Sequence, residues 1–486
     1  MYLEKIIETI FKNKTEEESE GLLNFLSDKM WSMYKDYLMD KLLIVKNEID
    51  SWTFLFDNAK EEKEYRFAVE LPTSKFSNDF AIKLKSVTGL SQETHGLTIQ
   101  MAEDGSNFVV EGKPSLEYFR GQGNPVESTY ELVLQFEIIS KESSNITSLV
   151  EKKVPFVINQ DPKKLWRNLP VDWEKMPEPK YQNEDIQVEY VKVEALEDGT
   201  PQKDIVVASK RGRSHAHEAK PRDDFFKVKH LDNGWYIMAV ADGAGSAKNS
   251  REGSRIACTE SVDYCQKQLI DNKDFETAIN MYNEYQNESE NDARKQVGDY
   301  IYRIVCNAAL TAHKSIEKEA TAQNIPSKTY STTLLLTISK RFSFGWFIAS
   351  FWVGDGAICL YDQKNHTAKI MGEPDEGEFG GQTRFLTMKE IFSDTTNLYK
   401  RLRFSIVPDF TALFMMTDGV SDPKFETDNN LINPDKWDEL WNDLKNNEEH
   451  PVDLSDDHEE AKDELLAWLD FWSSGNHDDR TIAILY

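Results

Sequence analysis

Apolar positions fall into three textures along the chain, and each predicts different elements. Residues 1–60 favour helix: Leu22, Leu23, Phe25, Leu26, Met30, Met33 and Tyr34 recur at three- and four-residue steps, as one helical face does. An aromatic-rich stripe of this kind is expected to be core, with a partner-binding helix as the alternative. From 61 to 158 the texture becomes short alternating runs: YRFAVEL, FAIKLKSV, GLTIQMA, NFVVEG, YELVLQFEII and EKKVPFVI, separated by Gly, Asn, Ser and Pro. Short strands with regular turn signals predict an all-β, immunoglobulin-like sandwich. These strands contain no catalytic constellation, so a binding module or spacer is expected.

Residues 159–186, with DPKKLWRNLP and WEKMPEPKY, read as an irregular linker that Trp166 and Trp173 could pin to a neighbouring domain. From 187 to 486, apolar runs (WYIMAVA, STTLLLTI, FGWFIASFWV, TALFMMT, RTIAILY) alternate with helical stretches. The latter include SREGSRIACTESVDYCQKQL, the acidic region around 274–320 and WDELWNDLKNN. Sheets with helices packed outside them, an α+β layered architecture, follow from that order.

Composition narrows the functional classes. With 486 residues and 39% hydrophobic content, two or three packed domains are expected. A formal charge of −28 argues against nucleic acid and anionic membranes as partners. No run approaches the ~18 apolar residues of a membrane span. The opening MYLEKIIETIFKNK mixes charges into its apolar residues, unlike a secretory signal. Cys258, Cys265, Cys306 and Cys359 lack zinc-site spacing and read as reduced core thiols of a cytoplasmic protein.

The chemistry gathers at strand ends. WYIMAVADG and TALFMMTDGV each run apolar and then deliver an Asp-Gly pair, Asp242-Gly243 and Asp418-Gly419. Glycine after the carboxylate allows a sharp turn and a close approach to a ligand. Asp223-Asp224, Asp355 and Asp478-Asp479 also flank apolar segments. Singly, each is an ordinary turn or solvated strand end. Together they suggest a purpose, because clustered carboxylates repel unless cations hold them. Hard divalent ions such as Mg²⁺ or Mn²⁺ prefer such oxygen ligands.

In their order, SHAHEAKPRDDF, ADGAGSAKNSREGS, STTLLL, VGDGAI, TDGV and DDRT resemble the type 2C metal-dependent Ser/Thr protein phosphatases over about 205–486. The GxSHxxxxxPxxD opening resembles a bacterial branch. The resemblance implies a β-sandwich flanked by helices, with two Mn²⁺ or Mg²⁺ ions and a third, weaker site. A water bridging the metals would hydrolyse phosphoserine and phosphothreonine. By motif, Asp242 would bridge both metals with the Gly243 carbonyl as a further ligand. Asp224 would hold metal waters or contact the first metal. Asp418 and Asp478 would bind the other ion, and Asp355 would share the third site with Asp418. Asp223 occupies a supporting acid position.

Two positions depart from the family pattern. Ala244 stands where a His usually follows the first Asp-Gly, and Ala219 where a phosphate-binding Arg is usual. His215 becomes the candidate acid, and Arg211, Arg213 and Arg222 the candidate phosphate binders. Ser214-His215 and Gly245-Ser246 match the branch's own signature. Thr332 and Thr333 are expected to hydrogen-bond inside the sheet, and Asn476 and His477 to form a turn. The expected activity is that of a phosphoprotein phosphatase in a signalling system with a cognate Ser/Thr kinase. The competing expectations are a pseudophosphatase binding phosphoproteins through its N-terminal domain, and a phosphatase of small esters.

Overall fold

The computed structural model describes residues 9, 12, 15–72, 79–122, 126–141, 147–176, 182, 185–285, 292–375 and 383–486. The chain divides into two compact units, Met1–Leu165 and Trp166–Tyr486. The stretch 159–186, read as a linker, is shared between them.

In the first unit, helix α1 (Glu16–Ser51) starts at a capping box: Thr15 accepts from the Glu18 amide, and the Glu18 carboxylate accepts from the Thr15 amide. Among the described residues seven strands follow: β1 (Ala59–Lys60), β2 (Tyr65–Glu70), β3 (Phe80–Thr88), β4 (Leu97–Met101), β5 (Asn107–Gly112), β6 (Thr129–Ser140) and β7 (Thr147–Asn159). They form a four-stranded sheet, β1-β7-β6-β3, and a three-stranded sheet, β2-β5-β4. Alternate residues of both sheets share one core, with Phe108 and Val110 from one and Leu134, Phe136 and Phe156 from the other. Period-two burial of this kind is what the alternating runs predict.

The helix corrects one expectation. The stripe around Leu23, Met30 and Met33 is exposed rather than core. The sandwich instead covers Leu38, Leu42, Val45 and Ile49 further along. An apolar period identifies a helical face but not what lies against it.

The second unit is a four-layer sandwich. Its first sheet has the order β10-β11-β12-β13-β16, from β10 (Phe225–His230), β11 (Trp235–Ala241), β12 (Leu334–Phe342), β13 (Gly345–Val353) and β16 (Leu402–Val407). The second runs β15-β14-β17-β18-β9-β8, from β8 (Ile186–Val191), β9 (Ile205–Lys210), β14 (Ala357–Asp362), β15 (Thr367–Gly372), β17 (Ala412–Met416) and β18 (Arg480–Leu485). All hydrogen-bonded neighbours in both sheets are antiparallel.

Both faces of the inner strands β9, β11, β12, β13, β14, β17 and β18 are buried, which explains their near-continuous apolar runs. On β11, Tyr236, Met238 and Val240 point to the opposite sheet, where they meet Leu413, Met415 and Ala483. Trp235, Ile237 and Ala239 point outward to helices α2 (Ser250–Leu269), α3 (Lys273–Tyr285), α4 (Asp292–Ile301) and α5 (Asn307–Ala322). The outer face of the six-stranded sheet is covered by α6 (Asp418–Phe425), α7 (Pro434–Asn446) and α8 (Ala461–Trp468), through Trp437, Leu440 and Trp468. With both faces sealed, the strand ends are where polar groups can gather.

Candidate active site

β11 ends at Ala241, and the next residue, Asp242, is fixed by two threonines that precede β12. The Thr333 hydroxyl accepts from the Asp242 amide at 2.8 Å. The Asp242 carbonyl accepts from the Thr332 hydroxyl and the Thr333 amide, each at 2.8 Å. Gly243 then bridges to Thr332. A Cβ on Gly243 would stand 2.7 Å from the Asp223 carbonyl, so glycine permits this close approach of the two acidic segments.

Asp418 opens α6 directly after β17. A Cβ on its neighbour Gly419 would lie 1.8 Å from the Asp479 carbonyl, so the turn can pass only as glycine. Asp355 follows β13 and accepts a hydrogen bond from Thr383. Asp224 is buried; its Oδ2 accepts from the Thr417 and Thr481 hydroxyls at 3.0 and 2.6 Å.

These placements bring together residues far apart in sequence. One carboxylate oxygen from each of Asp242, Asp355 and Asp418 lies within 4.8 Å of the others. Burial first, then the charges of Asp418, Asp224, Asp478 and Asp355, push Asp242 well above the usual carboxylate range. Asp418 is raised by burial and then by Asp355, Asp478 and Asp224. Asp478 is shifted in the same direction by burial and its neighbour Asp479. The donor set is all oxygen, which fits a hard divalent cation. Asp224 Oδ1 and Asp355 Oδ1 are buried without a hydrogen-bond partner, as outward-turned ligand atoms would be.

Asp479, which sequence reasoning left unassigned, is an organising anion. It accepts from the amides of Gly212 at 2.6 Å and Asp223 at 2.5 Å. His215 is buried beside it, Nδ1 being 3.0 Å from Asp479 Oδ2 and Nε2 being 3.8 Å from Asp223 Oδ2. The Nδ1 contact is an ion-pair distance off the line of a hydrogen bond. Burial opposes charge on the ring, but Asp479, Asp223 and Asp478 outweigh it and push His215 up to about 10. Asp479 is correspondingly lowered despite its burial. Asp223 is raised to about 7 by burial, with the His215 charge pulling the other way and Asp479 adding to the rise.

The three candidate phosphate-binding arginines are engaged elsewhere. Arg211 donates to Asn168 Oδ1 at 2.5 Å and to the Leu169 and Lys220 carbonyls. Arg213 donates to Asp470 and the Phe471 carbonyl, and Arg222 to the Ser209 carbonyl and Gln187. Their runs of charge near SHAHEAKPRDD gave no sign that each anchors a strand end or loop. A different cationic group lines a cavity of about 400 Å³ beside Asp223: Lys175, Lys220, Lys248 and Arg251, with Ser246. The Arg251 guanidinium lies 5.4 Å from the Trp173 ring centroid. Arg251 was missed, although SREGS immediately after the first Asp-Gly loop places it in the first turn of α2.

A test of the cation fit follows from the raised carboxylates. Asp223 and Asp224 both stand near 7 in the fold, against about 3.8 in the unfolded chain. The folded state therefore holds more protons, and its stability falls as pH rises from about 4 through 7. Metal-free protein should melt at progressively lower temperature across that window. Mn²⁺ should raise the melting temperature more at pH 7.5 than at pH 5. A melting temperature indifferent to both would contradict the cation fit.

The family model for protein phosphatase 2C matches residues 211–470, more than half of the chain. Among solved structures, that of a C. elegans sex determining protein is similar at 12% identity and TM-score 0.36, over 59% of this chain and 65% of that one. The chain thus spans just under two thirds of that structure. The catalytic domain of the serine threonine protein phosphatase PstP, in complex with 2 manganese ions, is similar at 13% identity and TM-score 0.33, over 62% and 98% of the two chains. The S. agalactiae serine/threonine phosphatase gives 13%, 0.34, and 58% and 99%. A search of curated proteins finds no match. The family match contains the first Asp-Gly loop, the clamping threonines, Asp355 and the second Asp-Gly turn, and on it the chain belongs to the protein phosphatase 2C family.

Proposed function

We propose that this chain is a metal-dependent protein Ser/Thr phosphatase, and the observation that carries the reading is the convergence of Asp242, Asp355 and Asp418 within 4.8 Å. Asp242, Asp418 and Asp478 would hold two Mg²⁺ or Mn²⁺ ions. Asp224 and the Gly243 carbonyl would assist them, and Asp355 would contribute to a third site with Asp418. Bound there, such ions lower the pKa of a coordinated water and neutralise charge on a phosphoryl group.

The chain's own side chains do the rest. The Thr332–Thr333 clamp orients Asp242 before any ligand arrives, so little reorganisation is needed on binding. Arg251, with Lys220 and Lys248 beside it, supports assigning the cavity next to Asp223 to the anionic substrate. His215 remains the candidate acid, acting through Asp223. Asp223 lines the cavity and is held near 7, which suits a group that must hold and release a proton near neutrality. The first unit carries no comparable constellation among its described residues, which supports a role in target selection or control.

Three outcomes are expected. Full-length protein with Mn²⁺ should dephosphorylate a phosphothreonine peptide, EDTA should abolish turnover, and Asp242→Asn should lower kcat by more than about 100-fold. A chain that binds the peptide but never turns it over would instead be the binding-only relative. Asp223→Asn and His215→Gln should each slow phosphothreonine hydrolysis about 100-fold, but p-nitrophenyl phosphate far less, because its leaving group needs no proton. Equal losses on both esters would overturn the acid assignment. A chain beginning at Trp166, which keeps Trp173 and Lys175 at the cavity, should lose discrimination among protein substrates; undiminished preference would remove the first unit from that role.

A further inference from the structure

Among the described residues, nothing covers a second apolar face of helix α1. Its buried stripe, Leu38, Leu42, Val45 and Ile49, packs on the sandwich. Leu23, Leu26, Met30, Met33, Tyr37 and Ile44 lie on another face, roughly 120° away at the ~100° turned per residue. Leu23 is 55% exposed, Met30 64%, Met33 71%, Tyr37 51% and Ile44 60%. From Leu23 to Tyr37 the steps are three, four, three and four, a seven-residue repeat in which Asp40 takes the next place. A repeat averaging 3.5 residues per turn keeps a stripe facing another helix as the two supercoil. Packing on a broad sheet requires no such strictness.

We propose that this face seats α1 of a second copy of the chain, antiparallel, in a two-fold symmetric dimer. In that arrangement Met30 meets Met33 of the other copy, and Leu26 meets Tyr37, on either side of an axis near residues 31 and 32. Asp40 then falls beside Leu23 at the rim. A parallel pair would set two Asp40 carboxylates against each other within the seam. Exposed Lys29 and Asp36 flank the stripe and become cross-helix partners of opposite charge in the antiparallel register.

Space and area agree with this occupant. Among the described residues of α1, none before Leu38 is buried and Tyr34 packs only partly against the sandwich core, so residues 16–33 are open to a neighbour. Antiparallel pairing sends the two sandwiches to opposite ends. Half-exposed side chains of this size offer on the order of 100 Å² each. Five of them, with the partly buried Leu26 and the flanking residues, approach the roughly 800 Å² per partner of a standard interface. The pairing is self-complementary and closes at two copies.

Sedimentation equilibrium of the full chain tests this. Wild type should sediment at twice the chain mass, and Met30→Glu/Met33→Glu at once the chain mass with an unchanged circular dichroism spectrum. Asp36→Lys should raise the dimer dissociation constant at least about tenfold. Adding Lys29→Asp to it should restore wild-type affinity. An equimolar mixture of Leu26→Cys and Tyr37→Cys chains should oxidise to the mixed disulfide. A monomer at all concentrations, a dimer indifferent to the glutamates, or preferential like-with-like disulfides would each overturn the proposal.

Discussion

Repulsion among buried carboxylates is the constraint on which the second unit turns. Asp242, Asp418, Asp224 and Asp478 each shift upward because burial and one another's charge disfavour ionisation together. A fold gathers such groups only where rigid surroundings outweigh the penalty. Here the rigidity comes from two sheets sealed by helices on both sides, and from hydroxyls and amides that fix the acidic segments. Thr332 and Thr333 hold the Asp242 backbone, and Thr417 and Thr481 hold the Asp224 carboxylate. Asp479 takes the opposite course: His215 and three backbone amides keep it ionised inside the fold.

Much of this was legible in the residues. Fully apolar runs ending in Asp-Gly announced strands buried on both faces that deliver a carboxylate at their ends, and β11 and β17 do so. Alternating runs in the first unit gave its strands because a sandwich face writes itself as period two. The organising place of Asp479 was not legible, since DD before a strand looks the same whether one acid or both turn inward. Arg211, Arg213 and Arg222 misled for a related reason: sequence shows a charge but not whether carbonyls already engage it.

Helix α1 marks another limit. Its apolar residues serve two faces at once, so a stripe read between Leu22 and Tyr34 was taken for the core-facing one. The buried set begins only at Leu38. Separating them needs the sandwich in place, because spacing alone does not say which face meets the same chain.

The acidic side chains do not all come from one sheet. Asp242 follows a strand of the five-stranded sheet, and Asp418 and Asp478 adjoin strands of the six-stranded one, while Asp355 sits at the crossing from β13 to β14. Whatever fills the space among them is therefore a rivet through both layers. Were an ion held there, as proposed above, its grip and the closure of the sandwich at that end would be a single mechanical property. Changes in the sheet interior, at Met415 or Val240 for instance, would be felt as altered grip without touching a ligand.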